Sequence, residues 1–443
     1  MWGAKTIGRG VARASSGVAV LLAALLGLLP SRVRRKWFER LGSLGRRVDN
    51  LLNSTVLFGI DPLADLSALE AGLVPQTPKV DERAENRIVE RILAAYWKAN
   101  SDQKGAPLVY QPGGEWADTI KRTRGEYLAA LEREDSLELS RLLRGFFRNC
   151  GAYGLLTTGL YPGISAASTR KKRAFICAIL QDYSSWKDLT GNTNPQALAV
   201  PAIGNPWGYM IENHLVMPGA CRHNYFAHQA CTLLLDIPGA PVVAEIGGGF
   251  GGFAYFLLSR MDKHRYIDFD LPEILLLEQY YLMSAFPQKR FLLYGEHQVE
   301  SFGSALESYD VILMPNFELP KLPDASVDFF INTGSLSEMD YATVEEYIDH
   351  ITRTCRLYFF HDNSDRAVPK GRYHIEVPAS RFPIAEKAFR RVYKAKSPWV
   401  GMGEDRCREH LYRRLSAVGE STRALGPTND LLDQLDSNTL SAH

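Results

Sequence analysis

Short apolar runs alternate with longer amphipathic stretches through the second half of the chain. The runs Val242–Ile246, Val327–Asn332 and Leu357–Phe360 have the length and composition of buried strands, and Leu271–Phe286 has the periodicity of a helix. Pro272 stands at the start of that helix, where proline is favoured. Strands that alternate with helices predict an α/β fold with a largely parallel sheet.

Five further segments have the pattern of strands: Arg265–Asp270, Phe291–Tyr294, Tyr309–Met314, Phe389–Lys394 and Glu409–Leu415. One of Phe291–Tyr294 and Tyr309–Met314 is expected to be a core strand and the other an added hairpin arm. Their patterns do not decide which is which. The last two segments predict a closing pair of antiparallel strands.

The first half of the chain has a helical pattern, since apolar residues such as Ile88, Ile92 and Tyr96 recur at helical spacing. Six segments are predicted in chain order. They are a basic and hydrophobic N-terminal segment at 1–40, a linker at 41–80, a helical subdomain at 81–200, a connecting lid at 201–240 with a hairpin around Glu212 and Asn213, an α/β domain at 241–416, and a disordered polar tail at 417–443.

A glycine-rich turn follows the strand Val242–Ile246. Gly247, Gly249 and Gly252 match the dinucleotide-binding spacing G-x-G-x-x-G. Glu245, Gly247, Gly249 and Gly251 match a second pattern, E-x-G-x-G-x-G. Glycine is needed where the backbone approaches a ligand closely, and the helix that follows offers free N–H groups to that ligand.

The strand Arg265–Asp270 ends in a second candidate for ligand binding. Asp270 lies 23 residues after Gly247, close to the spacing of about 20 at which a carboxylate reaches ribose hydroxyls. A carboxylate accepts hydrogen bonds from both hydroxyls of a cis-diol. Asp270 is therefore the predicted ribose ligand, with Asp268, expected on the opposite face, as the alternative.

Polar residues follow two later strands, where chemistry gathers in an open α/β sheet. Asn332 and Glu338 follow one strand, and His361 and Asp362 follow the next. His361 is the predicted general base because imidazole titrates near neutral pH; Glu338 is the second candidate, and Asp362 or Glu338 would orient the histidine. His361, Asp362 and Asp365 also have ligand-capable side chains, but no further partner is in view, so no metal site is predicted.

A second cluster of candidates precedes the glycine-rich turn. Arg222, His223 and Tyr225 open a predicted helix, and Trp207 lies in a turn-rich aromatic segment. These side chains are predicted to contact a substrate or the carboxylate of a cofactor. Their alternative role is to cap and pack the start of the helix.

Charge is unevenly distributed along the chain. Residues 1–50 carry ten Lys and Arg and two Asp and Glu, a net charge of +8, so the remainder carries −7 of the total of +1. A body that is not basic argues against nucleic-acid binding. The six cysteines include no C-x-x-C pair, which predicts a reduced compartment and no zinc site.

The segment from Gly17 to Pro30 has no charged residue, and basic residues lie on both sides of it. At 14 residues it is short for a membrane span of about 20. Residues 17–36 are therefore predicted either to contact the inner face of a membrane peripherally or to form a leader that becomes a buried helix. The catalytic part of the chain is expected in the cytoplasm.

Six motifs in order resemble one family: GNPWGY with RHNY, EIGGGFGG, YIDFDLP, LMPNFELPKLPD, INTGSLSEM and YFFHDN. Together they are similar to a bacterial family of sugar O-methyltransferases associated with polysaccharide building, within the class I S-adenosylmethionine (SAM) dependent methyltransferases. The resemblance covers about residues 80–415. It implies a Rossmann-like, seven-stranded methyltransferase sheet with an N-terminal helical subdomain, SAM as cofactor, and a sugar or glycan hydroxyl as methyl acceptor.

The same resemblance implies roles for individual residues. Glu245 would organise the methionine end of SAM, and Asn316 or Phe317 would contact the adenine. With Gly247, Gly249, Gly251, Asp270 and Asn332, these residues form the predicted cofactor site.

Two other functions remain open from the sequence. The first is an NAD(P)-dependent sugar oxidoreductase that uses Gly247, Gly249, Gly252 and Asp270; no Tyr-x-x-x-Lys pair is evident near the site. The second is a non-catalytic component of a polysaccharide assembly, against which the intact glycine pattern and Asp270 count.

Overall fold

A computed structural model describes residues 65–76, 81–156, 160–260, 263–297, 302–367, 369–370, 374–399 and 406–415. The N-terminal segment 1–40, the polar tail 417–443 and most of the linker 41–80 lie outside the described residues. The described residues belong to two compact units. The larger starts at Ser67, omits Ser168–Cys177, and contains the sheet and the site described below.

The first half of the described chain is helical, as its apolar spacing predicts. Its helices are α1 (Leu66–Gly72), α2 (Glu82–Gln103), α3 (Gly114–Thr123), α4 (Gly125–Glu132), α5 (Ser136–Arg144), α6 (Tyr161–Ser165) and α7 (Thr169–Thr190). The Asp81 side chain caps α2 by accepting hydrogen bonds from the backbone N–H groups of Arg83 and Ala84. Helices α2 to α5 lie in the same compact unit as the sheet.

The second half contains the strands, which alternate with helices. Strands and helices follow in the order β1 (Tyr209–Ile211), β2 (His214–Val216), α8 (Ala220–Leu233), β3 (Val242–Ile246), α9 (Gly252–Arg260), β4 (Arg265–Asp270), α10 (Pro272–Ala285), β5 (Phe291–Leu293), α11 (Phe302–Ser308), β6 (Val311–Pro315), β7 (Val327–Thr333), α12 (Tyr341–Thr354), β8 (Cys355–Ser364), β9 (Pro369–Lys370), β10 (His374–Ile375), β11 (Phe389–Lys396) and β12 (Cys407–Arg414).

Strands β1 and β2 form the hairpin predicted in the connecting lid. Ile211 pairs with His214, so Glu212 and Asn213 form a two-residue loop. Both loop residues have positive φ angles, 47° and 66°, as a tight hairpin turn of this length requires.

Eight strands form one sheet in the order β11-β12-β8-β7-β3-β4-β6-β5. Neighbours from β8 to β5 are parallel, whereas β12 runs antiparallel to both β8 and β11. The structure therefore has the mixed α/β fold and the closing antiparallel pair predicted from the sequence.

The sheet was predicted to have seven strands, and the described sheet has eight, which corrects that prediction. Both candidates for the third core strand belong to it. Strand β6 lies next to β4, and β5 adds outside β6 in parallel rather than as a hairpin arm. Helix α11 connects β5 to β6, and a helical crossover is the connection that parallel strands need.

The central strands are buried on both sides, because helices cover both faces of a parallel sheet. Every residue of β3 and β6 is buried. No helix of the described residues is both long and apolar enough to cross a membrane.

Candidate functional site

A cavity of about 410 Å³ opens at the carboxyl ends of β3, β4, β6 and β7. The strand order reverses here, because β3 lies between β4, which follows it in the chain, and β7, which comes later. Ligands of open α/β sheets bind at such a switch point. The walls include the predicted Gly247, Gly249, Asp270 and Asn316, and also Arg222, His223 and Glu338.

The glycine-rich turn forms one wall of this cavity. Gly247 and Gly249 have φ angles of 78° and 69°, a conformation that side chains other than glycine rarely adopt. Space is also limited, because a Cβ on Gly247 would lie 2.5 Å from Ser335 Oγ. Gly251 lies outside the cavity wall and packs on Glu278 and Leu282 instead.

Asp270 joins the turn to the end of β4. Its Oδ2 accepts a hydrogen bond from the Gly249 N–H at 3.1 Å, and its Oδ1 accepts one from the Leu271 N–H at 2.7 Å. Burial raises the pKa of this carboxyl group to about 6, and these two backbone donors oppose the rise. Each oxygen has a further acceptor site for a ligand hydroxyl.

Asp268 lies on the same side of the strand as Asp270, since alternate residues share a face. This is a correction to the prediction that they face opposite ways. Asp268 accepts a hydrogen bond from the Gly248 N–H at 3.0 Å and is fully buried under the turn. Asp270, and not Asp268, is part of the cavity wall.

Glu245 lies beneath the glycine turn rather than on the cavity wall. It is 2% exposed, and the Tyr266 hydroxyl donates to its Oε2 at 2.6 Å. Burial raises the pKa of Glu245 to about 7. Its side chain is therefore not among those that line the cavity.

The predicted adenine contacts separate into two groups. Asn316 is on the cavity wall, where its Nδ2 donates to the Tyr110 carbonyl at 3.0 Å. Phe317 instead packs edge-on against Tyr294, with ring centroids 5.4 Å apart. The structure thus places Asn316, but not Phe317, at the cavity.

The prediction that Asn332 belongs to the cofactor site is corrected, because Asn332 is fully buried and bridges the strand ends. Its Nδ2 donates to the Ile246 carbonyl at 2.8 Å, and its Oδ1 accepts from the Asn363 side chain at 2.8 Å. These bonds leave Asn332 holding β3, β7 and β8 together below the site. It shapes the cavity floor without lining it.

Arg222 and His223, at the start of α8, do line the cavity. Arg222 is 6% exposed, and its Nε lies 3.9 Å from Asp362 Oδ2. Its Nε and Nη2 have no hydrogen-bond partner among the described residues. A buried guanidinium with such N–H groups is suited to an anionic group on a ligand.

His223 is held uncharged beside Arg222. Burial, together with the Arg222 charge, lowers the pKa of His223 to about 3. Its ring packs against Phe250 with centroids 5.5 Å apart, and Gly252 leaves room for it, because a Cβ there would lie 2.3 Å from His223 Nδ1. His223 therefore contributes a neutral polar surface.

The other two predicted substrate residues lie elsewhere, which corrects the prediction for them. The Tyr225 hydroxyl donates to Glu409 at 3.2 Å within a buried polar cluster. Trp207 is fully buried, and its indole N–H donates to the Phe147 carbonyl at 2.9 Å. Both residues support the walls rather than line them.

His361 is the main correction to the candidate catalytic residues. Its ring is fully buried, stacks on His410 with centroids 4.5 Å apart, and also packs against Phe382. Burial and the His410 charge lower the pKa of His361 well below its usual value. His361 is not among the residues that line the cavity.

Asp362 points to the other face of β8 and supports Arg222. Its Oδ2 accepts a hydrogen bond from Ser397 Oγ at 3.0 Å, and burial raises the pKa of this carboxyl group. Asp365 instead pairs with Lys394 at 2.7 Å. Within the part of the chain that the structure describes, no group of three or more His, Cys, Asp or Glu could hold a metal ion.

Glu338 is one of three carboxylates that line the cavity, with Asp270 and Asp340. It ends a short 3-10 turn, Leu336–Glu338, directly after β7, and is half-buried. Trp116 from α3 lines the same wall and donates its indole N–H to Glu338 Oε2 at 2.9 Å.

Sequence reasoning missed Trp116 and Arg406, which also lines the cavity. Neither residue lies in one of the six sequence motifs or near the glycine-rich turn in the chain. Their places in the site come from tertiary packing, so no local signal in the sequence would have found them.

No protein-family model matches the chain. No curated protein matches it either.

Some solved structures are similar at low identity. They include N-methyltransferase NodS from Bradyrhizobium japonicum WM9 with S-adenosyl-L-homocysteine (15% identity, 53% of this chain and 100% of that chain, TM-score 0.30). They also include magnesium protoporphyrin IX methyltransferase from Synechocystis PCC 6803 with the same molecule (12%, 54% and 98%, 0.29), and the glycopeptide N-methyltransferase MtfA with sinefungin (11%, 43% and 85%, 0.28). The function proposed below therefore rests on the residues of the site.

Proposed function

We propose that the protein is a SAM-dependent O-methyltransferase that transfers a methyl group to a sugar hydroxyl in glycan or polysaccharide synthesis. One observation carries the proposal. A single cavity at the switch point of the sheet is lined by the glycine turn, Asp270, Asn316, Arg222 and Glu338. The glycine turn, Asp270, Asn316 and Arg222 suit a nucleoside-containing cofactor with an amino-acid end, and Glu338 suits a polar acceptor.

The residues present fit SAM along its length. The N–H groups of the glycine turn and the buried Arg222 guanidinium suit the amino-acid end, because two Arg222 donors have no acceptor among the residues that the structure describes. Asp270 suits the ribose diol. Ile274 and Asn316 also line the cavity and suit a flat base with polar edges.

The chemistry follows from this arrangement. SAM, when bound, supplies a methyl group already activated on a sulfonium. The protein has to hold an acceptor oxygen in line with that methyl group and to exclude water. Glu338 accepts the proton of the acceptor hydroxyl, since a positioned carboxylate within hydrogen-bond reach acts as a general base.

The sugar acceptor rests on the motif resemblance and on the character of this wall. An indole ring beside a carboxylate offers an apolar face for C–H groups and an acceptor for O–H groups. Trp116 and Glu338 form such a pair. We also propose that the reaction takes place in the cytoplasm, with residues 17–36 as a peripheral contact to the inner membrane face.

The first experiment is isothermal titration calorimetry of the full-length protein with S-adenosylhomocysteine and, separately, with NADH. Binding of S-adenosylhomocysteine alone supports the proposal, and transfer of a labelled methyl group from SAM to a panel of sugars then identifies the acceptor. Binding of NADH alone would replace it with an oxidoreductase. Binding of neither would favour a non-catalytic role.

A further inference from the structure

One contact in the site joins the helical half of the chain to the end of a central strand. Trp116, near the start of α3, donates its indole N–H to Glu338, 222 residues away in the chain, at 2.9 Å. Both side chains are half-buried and line the same cavity. The contact therefore forms part of the cavity wall.

The indole N–H is a donor only, with a fixed direction in the ring plane. A hydrogen bond to an ionised carboxylate stabilises the charged form and lowers the pKa of the group relative to the same site without the donor. It also restricts the carboxylate to one orientation. The fixed orientation favours proton transfer, because a general base has to lie within hydrogen-bond reach of the proton that it accepts.

The ring is itself held in place by the backbone beneath it. A Cβ on Gly154 would lie 3.0 Å from the Trp116 ring at Cη2, so the ring rests directly on the glycine. Gly154 also lines the cavity. The donor therefore has a defined position before any ligand binds.

We propose that Trp116 is a positioning residue, which keeps the Glu338 carboxylate directed at the acceptor hydroxyl. The inference rests on the proposed function, because it assigns Glu338 the role of general base. It adds a residue from the helical half of the chain to the chemistry of the sheet. It also explains why a tryptophan, rather than another aromatic residue, stands at this position.

The test compares Trp116→Phe with the wild type, because phenylalanine keeps an aromatic ring and removes the donor. Loss of the donor raises the pKa of the carboxyl group, so the acidic limb of kcat/KM against pH should move upward by about one pH unit. Loss of the fixed orientation of the carboxylate should lower kcat about tenfold. Affinity for S-adenosylhomocysteine should be unchanged. Trp97→Phe, on the exposed side of α2, is the matched control.

Glu338→Gln separates the two levels of the proposal. It should lower kcat at least about a hundredfold with unchanged binding of S-adenosylhomocysteine. Full activity of Glu338→Gln would remove the base and the role of Trp116 with it, while leaving the cofactor assignment intact. If the wild type itself does not bind S-adenosylhomocysteine, the proposed function is overturned.

A second measurement does not depend on activity. With ¹⁵N-labelled indoles, the Trp116 Nε1–H signal of the wild type should shift as Glu338 is titrated with acid, and the shift should be absent in Glu338→Gln. An indole signal that does not follow the titration, or a kcat/KM profile of Trp116→Phe with the wild-type acidic limb, would overturn the proposal.

Discussion

Two aspartates in one strand both hold the glycine turn, but only one of them also reaches the cavity. Asp268 and Asp270 share a face of β4 and each accepts a backbone N–H of the turn, from Gly248 and Gly249 respectively. Asp268 is fully buried, whereas Asp270 ends the strand and reaches the cavity. Position along the strand, rather than the side of the sheet, therefore decides which of them can bind a ligand.

The first prediction concerns Asp270→Asn. Asparagine keeps the size of the side chain but offers one acceptor oxygen instead of two, so either the Gly249 N–H or a ribose hydroxyl loses its partner. Hydrogen bonds to charged groups contribute about 1.5–3 kcal/mol, so affinity for S-adenosylhomocysteine should fall about ten- to a hundredfold. Calorimetry of the full-length variant measures this.

The control for Asp270→Asn is Asp324→Asn. Asp324 is 75% exposed and pairs with Arg353 away from the cavity, so its substitution should leave binding unchanged. Equal affinities of the wild type and Asp270→Asn would remove Asp270 from the cofactor site.

The second prediction concerns His361→Ala, which tests the correction to the candidate base. Because the ring is fully buried between His410 and Phe382, its removal should leave a cavity and destabilise the fold by about 2–5 kcal/mol. The turnover number per folded molecule should stay within about twofold of the wild type. Thermal unfolding and active-site titration separate the two effects.

A loss of more than a hundredfold in turnover by folded His361→Ala would return the residue to the reaction. His361→Phe offers a comparison, since it refills the aromatic stack. It should recover part of the lost stability without a nitrogen.

Local chemistry decided which site residues could be predicted. Gly247, Gly249 and Asp270 carry signals within about 25 residues of each other, and the structure brings them to one cavity. His361 was misplaced because β8 continues to Ser364, beyond the predicted end at Phe360, so His361 lies inside the strand. Trp116 had no signal, because only tertiary packing brings it to Glu338.

At the level of elements, the strands were predictable but their number in the sheet was not. Buried runs of four to six apolar residues indicate strands, yet pairing depends on where each crossover returns. Strand β5 has only three residues, Phe291–Leu293, and pairs in parallel outside β6. Nothing in so short a run distinguishes a sheet edge from a hairpin arm.

The third prediction concerns the connection between β3 and α9. In Gly247→Ala, the new methyl group would collide with Ser335 Oγ, and alanine would be strained at a φ of 78°. The turn should move out of register with β7, so affinity for S-adenosylhomocysteine should fall at least about tenfold. Calorimetry measures it, with thermal unfolding to confirm that the sheet still forms.

The matched control for that connection is Gly125→Ala, at the start of α4, where an added Cβ meets no atom within 4 Å. It should bind as the wild type does. Wild-type affinity in Gly247→Ala would show that the turn adapts and that its glycine is dispensable.

At the scale of the whole molecule, buried ionisable groups set how stability depends on pH. Burial raises the pKa of Glu245 to about 7 and that of Glu278 to about 8. Glu409 is also raised to about 8 by burial. Burial lowers the pKa of His223 to about 3 and that of His410 to about 4.

These two sets act in opposite directions. The folded state holds carboxyl protons that the unfolded chain has already released, so the acids favour folding less as pH rises through about 4.5 to 8. The unfolded chain protonates histidines that the folded state keeps neutral, so the histidines favour folding more as pH rises from about 4 to 6.5. Above pH 6.5 the histidines are neutral in both the folded and the unfolded state, so of these groups only the buried acids still change the stability with pH.

The fourth prediction is therefore a decline of the melting temperature from pH 6.5 to pH 8.5, and Glu278→Gln tests its cause. Glutamine keeps a polar group beside the Tyr266 hydroxyl, which lies 3.0 Å from Glu278 Oε1, and needs no added proton to be neutral. The variant should melt about 2 °C or more above the wild type at pH 8.5 and show a smaller decline. Glu138→Gln, on the surface in a pair with Arg141, should keep the wild-type decline. Equal declines of the melting temperature in Glu278→Gln and the wild type would mean that deprotonation of Glu278 under the glycine turn does not cause the loss of stability at high pH.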